Sequence, residues 1–289
     1  VCAAGGSKAG SAVGAVQPHL AAHLDLDLVS LDEALAGPAD VVFSCLPSGA
    51  LGDVDGDRCV VDLSDEHRGD DAWTYGLCEF NRDSVPGKKL IANPGCYPTA
   101  TLLALVPFAR AGLIEGPVIV DAMSGTSGAG RKGEDHLLHA SLDGNVSAYG
   151  TVTHRHVPEM ERGLASYGEL ETTVSFTPHL VPIARGLLVT ARARLTAQID
   201  DGDALEVLEN SYSAEPFVAT IEGWPSPKSV AGTNRAVVSA HVDNRNGMLV
   251  ASAAIDNLGK GAAGQAIQNA NLALGLGETT GLDAVGVWP

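Results

Sequence analysis

Positive charge is scarce in this chain. Eighteen lysines and arginines stand against 35 aspartates and glutamates, leaving a net charge of −17 over 289 residues. So acidic a surface is not drawn to nucleic acid or to anionic membranes, and neither is expected as a partner. An anionic small-molecule substrate would need a local gathering of the few cations. Cysteine is sparse too: five, at positions 2, 45, 59, 78 and 96. None forms a C-x-x-C pair or a metal-binding spacing, so no metal is expected, and the odd, scattered set suits a reducing compartment. No apolar run approaches eighteen residues, which excludes a membrane-spanning helix. No signal peptide is visible, so a cytoplasmic location is expected. What remains is 45% hydrophobic, enough for one large or two ordinary domains with a real core.

The most informative stretch is Asn93-Pro94-Gly95-Cys96-Tyr97-Pro98-Thr99. Lys89–Ala92 before it reads as a strand, and the residues after it are good helix formers. Cys96 is therefore expected where a strand turns into a helix running to about Ala109. Pro94 and Gly95 are turn residues, and Pro98 suits a first helical turn. A thiol there meets unpaired N–H groups and the positive end of the helix dipole, which favour the thiolate nucleophile.

Earlier in the chain, Val1–Ala4 reads as the tail of a strand, followed by a loop with Ser7 and Lys8 and no acid. In a doubly wound sheet, the loop after the second strand meets the adenosine ribose. An acid there favours a free 2′-hydroxyl and a base accommodates a 2′-phosphate, so Ser7 and Lys8 favour NADP over NAD. Asp40–Pro47 and Cys59–Ser64 read as buried parallel strands. Arg68 follows as a candidate anion contact.

Val118–Ala122 is a further predicted strand, closed by the glycine loop Ser124–Arg131. The loop contains a literal G-x-G-x-x-G (128–133) and the glycine spacing of a P-loop, but Arg131 stands where that motif needs lysine, so neither is credible alone. The physical expectation is that its small residues let backbone N–H groups approach an anion, with Arg131 a candidate substrate contact. Glu134–Ala140 reads as a helix. In His154-Arg155-His156-Val157-Pro158-Glu159, an H-x-H pair could ligate zinc, but no third ligand stands at a convincing spacing. Acid–base work fits better, with Glu159 one turn into a helix and able to orient an imidazole. His179 is a lower-ranked candidate base. Arg185 beside Gly186 offers a fork for a carboxylate or acyl phosphate. Two alternating runs, Ala236–Asp243 and Met248–Ile255, flank an Asn-Gly hairpin signal, so the second half is expected to be largely antiparallel. Gly261–Ala270 reads as a helix with a small-residue face.

Five of these stretches together closely resemble the N-acetyl-gamma-glutamyl-phosphate reductase family, which is related to aspartate-semialdehyde dehydrogenase. They are Pro94–Thr99, Ser124–Arg131, His154–Glu159, Pro182–Gly186 and Ala254–Gly261. The resemblance implies an NADPH-dependent enzyme of arginine biosynthesis that reduces N-acetyl-gamma-glutamyl phosphate through a thioester on Cys96. It places the base in the His154–Glu159 motif, His156 first and His154 second. It puts Leu46 and Pro47 along the cofactor, Ser124 and Gly125 near the nicotinamide and the reacting carbon, and Asn257 on the carboxamide. Where the family has Asp-Phe-Arg, this chain has Glu66-His67-Arg68. The family also opens with a strand and a glycine-rich dinucleotide turn, and that first unit is expected to be missing here.

The expected architecture is α/β. A Rossmann-type parallel sheet domain comprises residues 1–95 and 256–289. An α+β domain with a mixed, largely antiparallel sheet, for substrate and dimerisation, spans 96–255. A homo-oligomer, dimer or tetramer, is expected. Rival readings are a sibling reductase acting on acetyl-aminoadipyl or aspartyl phosphate, and a non-catalytic fragment.

Overall fold

The computed structural model describes residues 1–52, 57–130 and 133–288. Eleven strands among them form two sheets. The first holds β1 (Val41–Ser44), β2 (Cys59–Asp62), β3 (Thr74–Tyr75) and β4 (Leu90–Ala92), in the order β1-β2-β4-β3, all parallel. The second holds β5 (Ile114–Ser124), β6 (Ser147–Ala148), β7 (Val174–Leu180), β8 (Leu187–Leu195), β9 (Val218–Thr220), β10 (Ala236–Asp243) and β11 (Met248–Ile255), in the order β6-β7-β5-β8-β11-β10-β9. It is mixed: β5–β7 and β9–β10 are parallel, the other pairs antiparallel. The Asn-Gly signal is the β10–β11 hairpin, with Asp243 paired to Met248 and Gly247 at φ +63°.

Five helices matter for the site: α1 (Leu31–Ala36), α2 (Cys96–Arg110), α3 (Val157–Gly168), α4 (Asp201–Tyr212) and α5 (Gly264–Ala273). The central one is α2. Every residue from Tyr97 to Ala109 is buried, as expected of a helix that is apolar all round. One face of the seven-stranded sheet covers it, together with α3 and α4. α5 lies on the parallel sheet, where Ala266 and Ala270 pack with Cys59, Val61 and Ile91.

Several local expectations need correction. Residues 1–4 form no strand, only a single bridge from Ala4 to Val29. Residues 134–140 are not one helix but two short turns, Asp135–Leu137 and His139–Leu142. The closing helix begins as a π-helical turn, Gly259–Ala263, before α5.

Candidate active site

β4 delivers the chain to Asn93-Pro94-Gly95, and α2 starts at Cys96. Asn93 is tied on three sides. Its N–H donates to the Asp62 carbonyl (2.8 Å), its amide nitrogen to the Ala262 carbonyl (3.2 Å), and its amide oxygen accepts from Asn269 (3.2 Å). The backbone fits only because two glycines flank the thiol. A Cβ on Gly95 would stand 2.7 Å from His156 Nε2 and 2.8 Å from Arg68 Nη1; one on Gly261 would stand 2.7 Å from the Cys96 Cβ. Either contact is far inside normal packing, so a side chain at 95 or 261 would displace the site.

Beneath this turn lies a buried ionic cluster. Glu159 Oε1 accepts the Gly95 N–H (2.8 Å) and the Tyr75 hydroxyl (2.8 Å), and Oε2 accepts Arg68 Nη1 (3.0 Å). Arg68 also donates through Nε to the Asn93 carbonyl (2.9 Å) and through Nη2 to the Leu63 carbonyl (2.9 Å), and its Nη1 lies 3.4 Å from His156 Nε2. The Arg68 side chain is 7% exposed. Arg68 was expected to meet a substrate anion, but its buried guanidinium is engaged by the nucleophile's own turn. Glu159 acts on the imidazole only through Arg68. His67 fills the place of the family's aromatic by stacking on Trp73, centroids 4.0 Å apart.

The electrostatics also differ from the dipole argument. Cys96 keeps some exposure, yet burial raises its thiol to about 11, against the lowering effect of the Tyr97 N–H and the Arg68 charge. The resting group is a thiol, because desolvation of the anion outweighs the helix terminus. His156 is pushed well below the ordinary histidine value, by burial first and then by Arg68 and its neighbours His154 and Arg155. At neutral pH it is an uncharged imidazole whose buried Nδ1 has no partner among the described residues. His154 Nδ1 accepts the His156 N–H (3.2 Å). The two rings stand edge to face with Tyr97, whose hydroxyl meets that of Tyr149 at 2.6 Å. Tyr75, Asn93, Tyr149 and Gly261 were given no site role from the sequence, although Asn93 and Gly261 lie in stretches singled out there. Their contacts run across long sequence separations.

Ser124 ends β5, buried. The glycine loop beyond it does not aim free N–H groups at an anion. Gly125, Thr126 and Ser127 donate to the carbonyls of Gly186, Ile183 and Ala184 (2.9, 3.0 and 3.2 Å). Asn257 stitches the same two loops, accepting the Gly186 N–H (2.8 Å) and donating to Ser127 Oγ (2.9 Å). One N–H and one lone pair of its amide are taken up in this way. Arg185 Nε and Nη2 grip Asp256 (2.9 and 3.0 Å), while the side chain remains 43% exposed. His179 Nδ1 lies 3.2 Å from the Ala122 carbonyl. Arg131 lies outside the described residues.

On the parallel-sheet side, Ser7 and Lys8 occupy an exposed 3₁₀ turn. Beyond β1, Leu46 and Pro47 lead to Ser48, whose hydroxyl donates to Asp65, and to Gly49, whose N–H donates to Glu66 (2.6 Å). Asp65 also pairs with Arg155 (3.4 Å). Ser44, at the carboxyl end of β1, has a buried hydroxyl with no partner among the described residues. A polar atom left open at the end of a parallel strand, with a Pro-Ser-Gly turn beyond it, suits a dinucleotide. No group of three or more possible metal ligands occurs among the described residues. No helix among them is long and apolar enough to cross a membrane.

A parallel dinucleotide-type sheet joined at a buried cysteine turn to a mixed sheet defines a semialdehyde dehydrogenase-type oxidoreductase. Two family models match accordingly: the semialdehyde dehydrogenase NAD binding domain over residues 1–87, and the semialdehyde dehydrogenase dimerisation domain over 96–257. The chain belongs to the N-acetyl-gamma-glutamyl-phosphate reductase family. It is 42% identical to the protein of that name from Micrococcus luteus, covering 98% of this chain and 90% of the relative. It is 44% identical to that of Mycobacterium avium, covering 98% and 88%. Among solved structures it is similar in fold to aspartate semialdehyde dehydrogenase II complexed with ASA from Vibrio cholerae, with a TM-score of 0.70 and 16% identity over 86% of this chain and 83% of that one. Aspartate semialdehyde dehydrogenase with NADP from Candida albicans matches at TM-score 0.63 and 16% identity, over 94% and 90%.

Proposed function

We propose that the chain reduces N-acetyl-gamma-glutamyl phosphate to N-acetylglutamate semialdehyde and phosphate, with NADPH as reductant, in arginine biosynthesis. One observation carries the reading: a thiol at the start of a buried helix, clamped between Gly95 and Gly261 beside an uncharged, buried imidazole. In this scheme the Cys96 thiol passes its proton to His156 as sulfur attacks the acyl carbon. A C–S bond forms, the C–O bond to phosphate breaks, and phosphate leaves. A neutral thiol–imidazole pair suits this, since neither reacting partner carries charge until the substrate arrives. A nicotinamide dinucleotide, when bound, supplies the hydride that reduces the thioester. His156 then steers the proton that sulfur regains as the C–S bond breaks and aldehyde departs, with His154 behind it.

Glu159 and Arg68 act from beneath by fixing the Gly95 N–H and the imidazole. Arg185 and Arg131 are the candidate contacts for the substrate's anionic groups. Ser7, Lys8, Leu46, Pro47, Ser124, Gly125 and Asn257 lie on the cofactor path; Asn257 serves by holding the two loops together, and Lys8 favours NADP over NAD. In this reading residues 1–95 and 256–289 serve the cofactor and 96–255 the substrate and a homo-oligomeric contact, and the protein works in the cytoplasm.

The test is phosphate-dependent reduction of NADP by N-acetylglutamate semialdehyde, run beside Cys96→Ser. The wild type should turn over, and the variant should lose about 10⁴-fold or more. Substantial activity in the variant would remove Cys96 from the mechanism. A preference for aspartate semialdehyde would move the reading to the sibling reductase.

A further inference from the structure

The exit from β11 contains a lysine in an unusual place. Lys260 is fully buried, the only such lysine among the described residues. Its ammonium contacts Glu79, whose side chain is also fully buried, and donates to Gln268 Oε1 (2.8 Å), with the Phe217 ring 5.7 Å away. Gln268 continues to Glu278 (2.7 Å), which is paired with Arg82 (2.9 Å). Among the described residues none of these groups bonds to the cluster beneath Gly95, so the thiol is flanked by two separate ionic systems.

Burying a charge pair is costly, and apolar residues of similar volume often serve stability as well or better. What a pair adds over a methionine is direction. Lys260 lies in the π-helical turn Gly259–Ala263, a rare form found mostly as single turns inside helices and often at functional sites. The next residue, Gly261, is the one that backs onto Cys96. The turn is pinned elsewhere by Asp256, which accepts the N–H groups of Leu258 and Gly259 (2.8 and 2.9 Å), and by Asn93 on the Ala262 carbonyl.

We propose that Lys260 is a positioning residue for the nucleophile: its buried contact with Glu79 fixes the π-helical turn, and the turn holds Gly261 against Cys96. The reaction it serves rests on the function proposed above; the geometry does not. Lys260→Met keeps most of the volume and removes the directed contact. Relative to wild type it should lower kcat about tenfold or more, change KM for the aldehyde less than twofold, and shift the pH profile of Cys96 alkylation by iodoacetamide. Alkylation is read on the Cys96 peptide by mass spectrometry, so the exposed Cys2 and Cys45 do not interfere. In a Gly261→Ala background, Lys260→Met should add little further loss, because both act through one contact.

A lowered melting temperature with kcat and the alkylation profile unchanged would make the pair purely structural and overturn the proposal. Should Lys260→Met not fold, Glu79→Gln, which keeps shape and one weaker bond, should shift the profile in the same direction; an unmoved profile there overturns it equally. If wild type shows no reductase activity but the alkylation shift occurs, the function reading fails and the positioning role stands.

Discussion

The two sheets are built to different standards. Strands of the parallel sheet are two to four residues long, and the buried cluster beside it is six residues from Cys59 to Ala270. Strands of the mixed sheet reach eleven residues, and its core gathers α2, α3, α4 and most of the apolar interior. Cys96 sits on the seam, with the short sheet behind it and the most deeply buried helix ahead. The division has a physical logic. A covalent step needs a nucleophile held to a fraction of an ångström, which a dense core supplies. A cofactor that must enter and leave is better served by a lightly built region, where local opening costs little.

The largest effect that would break this comparison comes from one deletion made in both places. Val189 on β8 and Val61 on β2 are both fully buried. Val189→Ala should cost about 2–3 kcal/mol, because long paired strands and α2 prevent collapse around the void, whereas Val61→Ala should cost about 1 kcal/mol in a cluster that can relax. Guanidinium unfolding followed by two probes should resolve an early transition of the parallel sheet. Equal costs and a single transition would mean that the two sheets stand or fall as one unit.

How far this was legible in the sequence depended on the range of the interaction. The α2 start at Cys96 could be read because proline, glycine and a continuous apolar run are local signals, and the β10–β11 hairpin because Asn-Gly is. The segment 134–142 could not: its residues have helical propensity but no apolar stripe to bury, so it settles as two short turns. The pairing of Arg68 was hidden for a different reason. A cation after a strand looks available for an anion until Glu159, 91 residues on, is seen to take it. Lys260 and Glu79 are 181 residues apart, and no periodicity links them. The thiolate expectation weighed the helix terminus without the burial that opposes it.

A middle-sized effect concerns the seam itself. Because burial and Arg68 hold the folded His156 well below 6.5, the unfolded chain binds a proton that the native state refuses. The contribution is complete above about pH 6.5 and is lost as pH falls toward the folded value, at about 1.4 kcal/mol per unit of difference. His156→Asn should therefore flatten the acid side of the stability curve below about pH 6.5. His154→Asn should flatten it less, since that ring is only partly buried. Melting temperatures at pH 7 and 5 decide it; an acid limb as steep in His156→Asn as in wild type would show that other groups carry it.

The smallest effect separates the two regions by what they bind. Lys8 lies on the lightly built side, exposed and without a side-chain partner among the described residues, and Arg185 lies on the mixed-sheet side. A lysine facing a 2′-phosphate at such exposure contributes about 1 kcal/mol, roughly fivefold in affinity, and less as salt rises. Lys8→Ala should accordingly raise KM for NADP about fivefold at low ionic strength, leave KM for NAD unchanged, and leave KM for the aldehyde unchanged. The NADP effect should fade between about 20 and 300 mM salt, as the Debye length shrinks from about 20 Å to about 6 Å. Equal changes for NAD and NADP would show that this loop reads something other than the 2′-phosphate. A change in the aldehyde KM would show that the parallel-sheet side reaches the substrate as well.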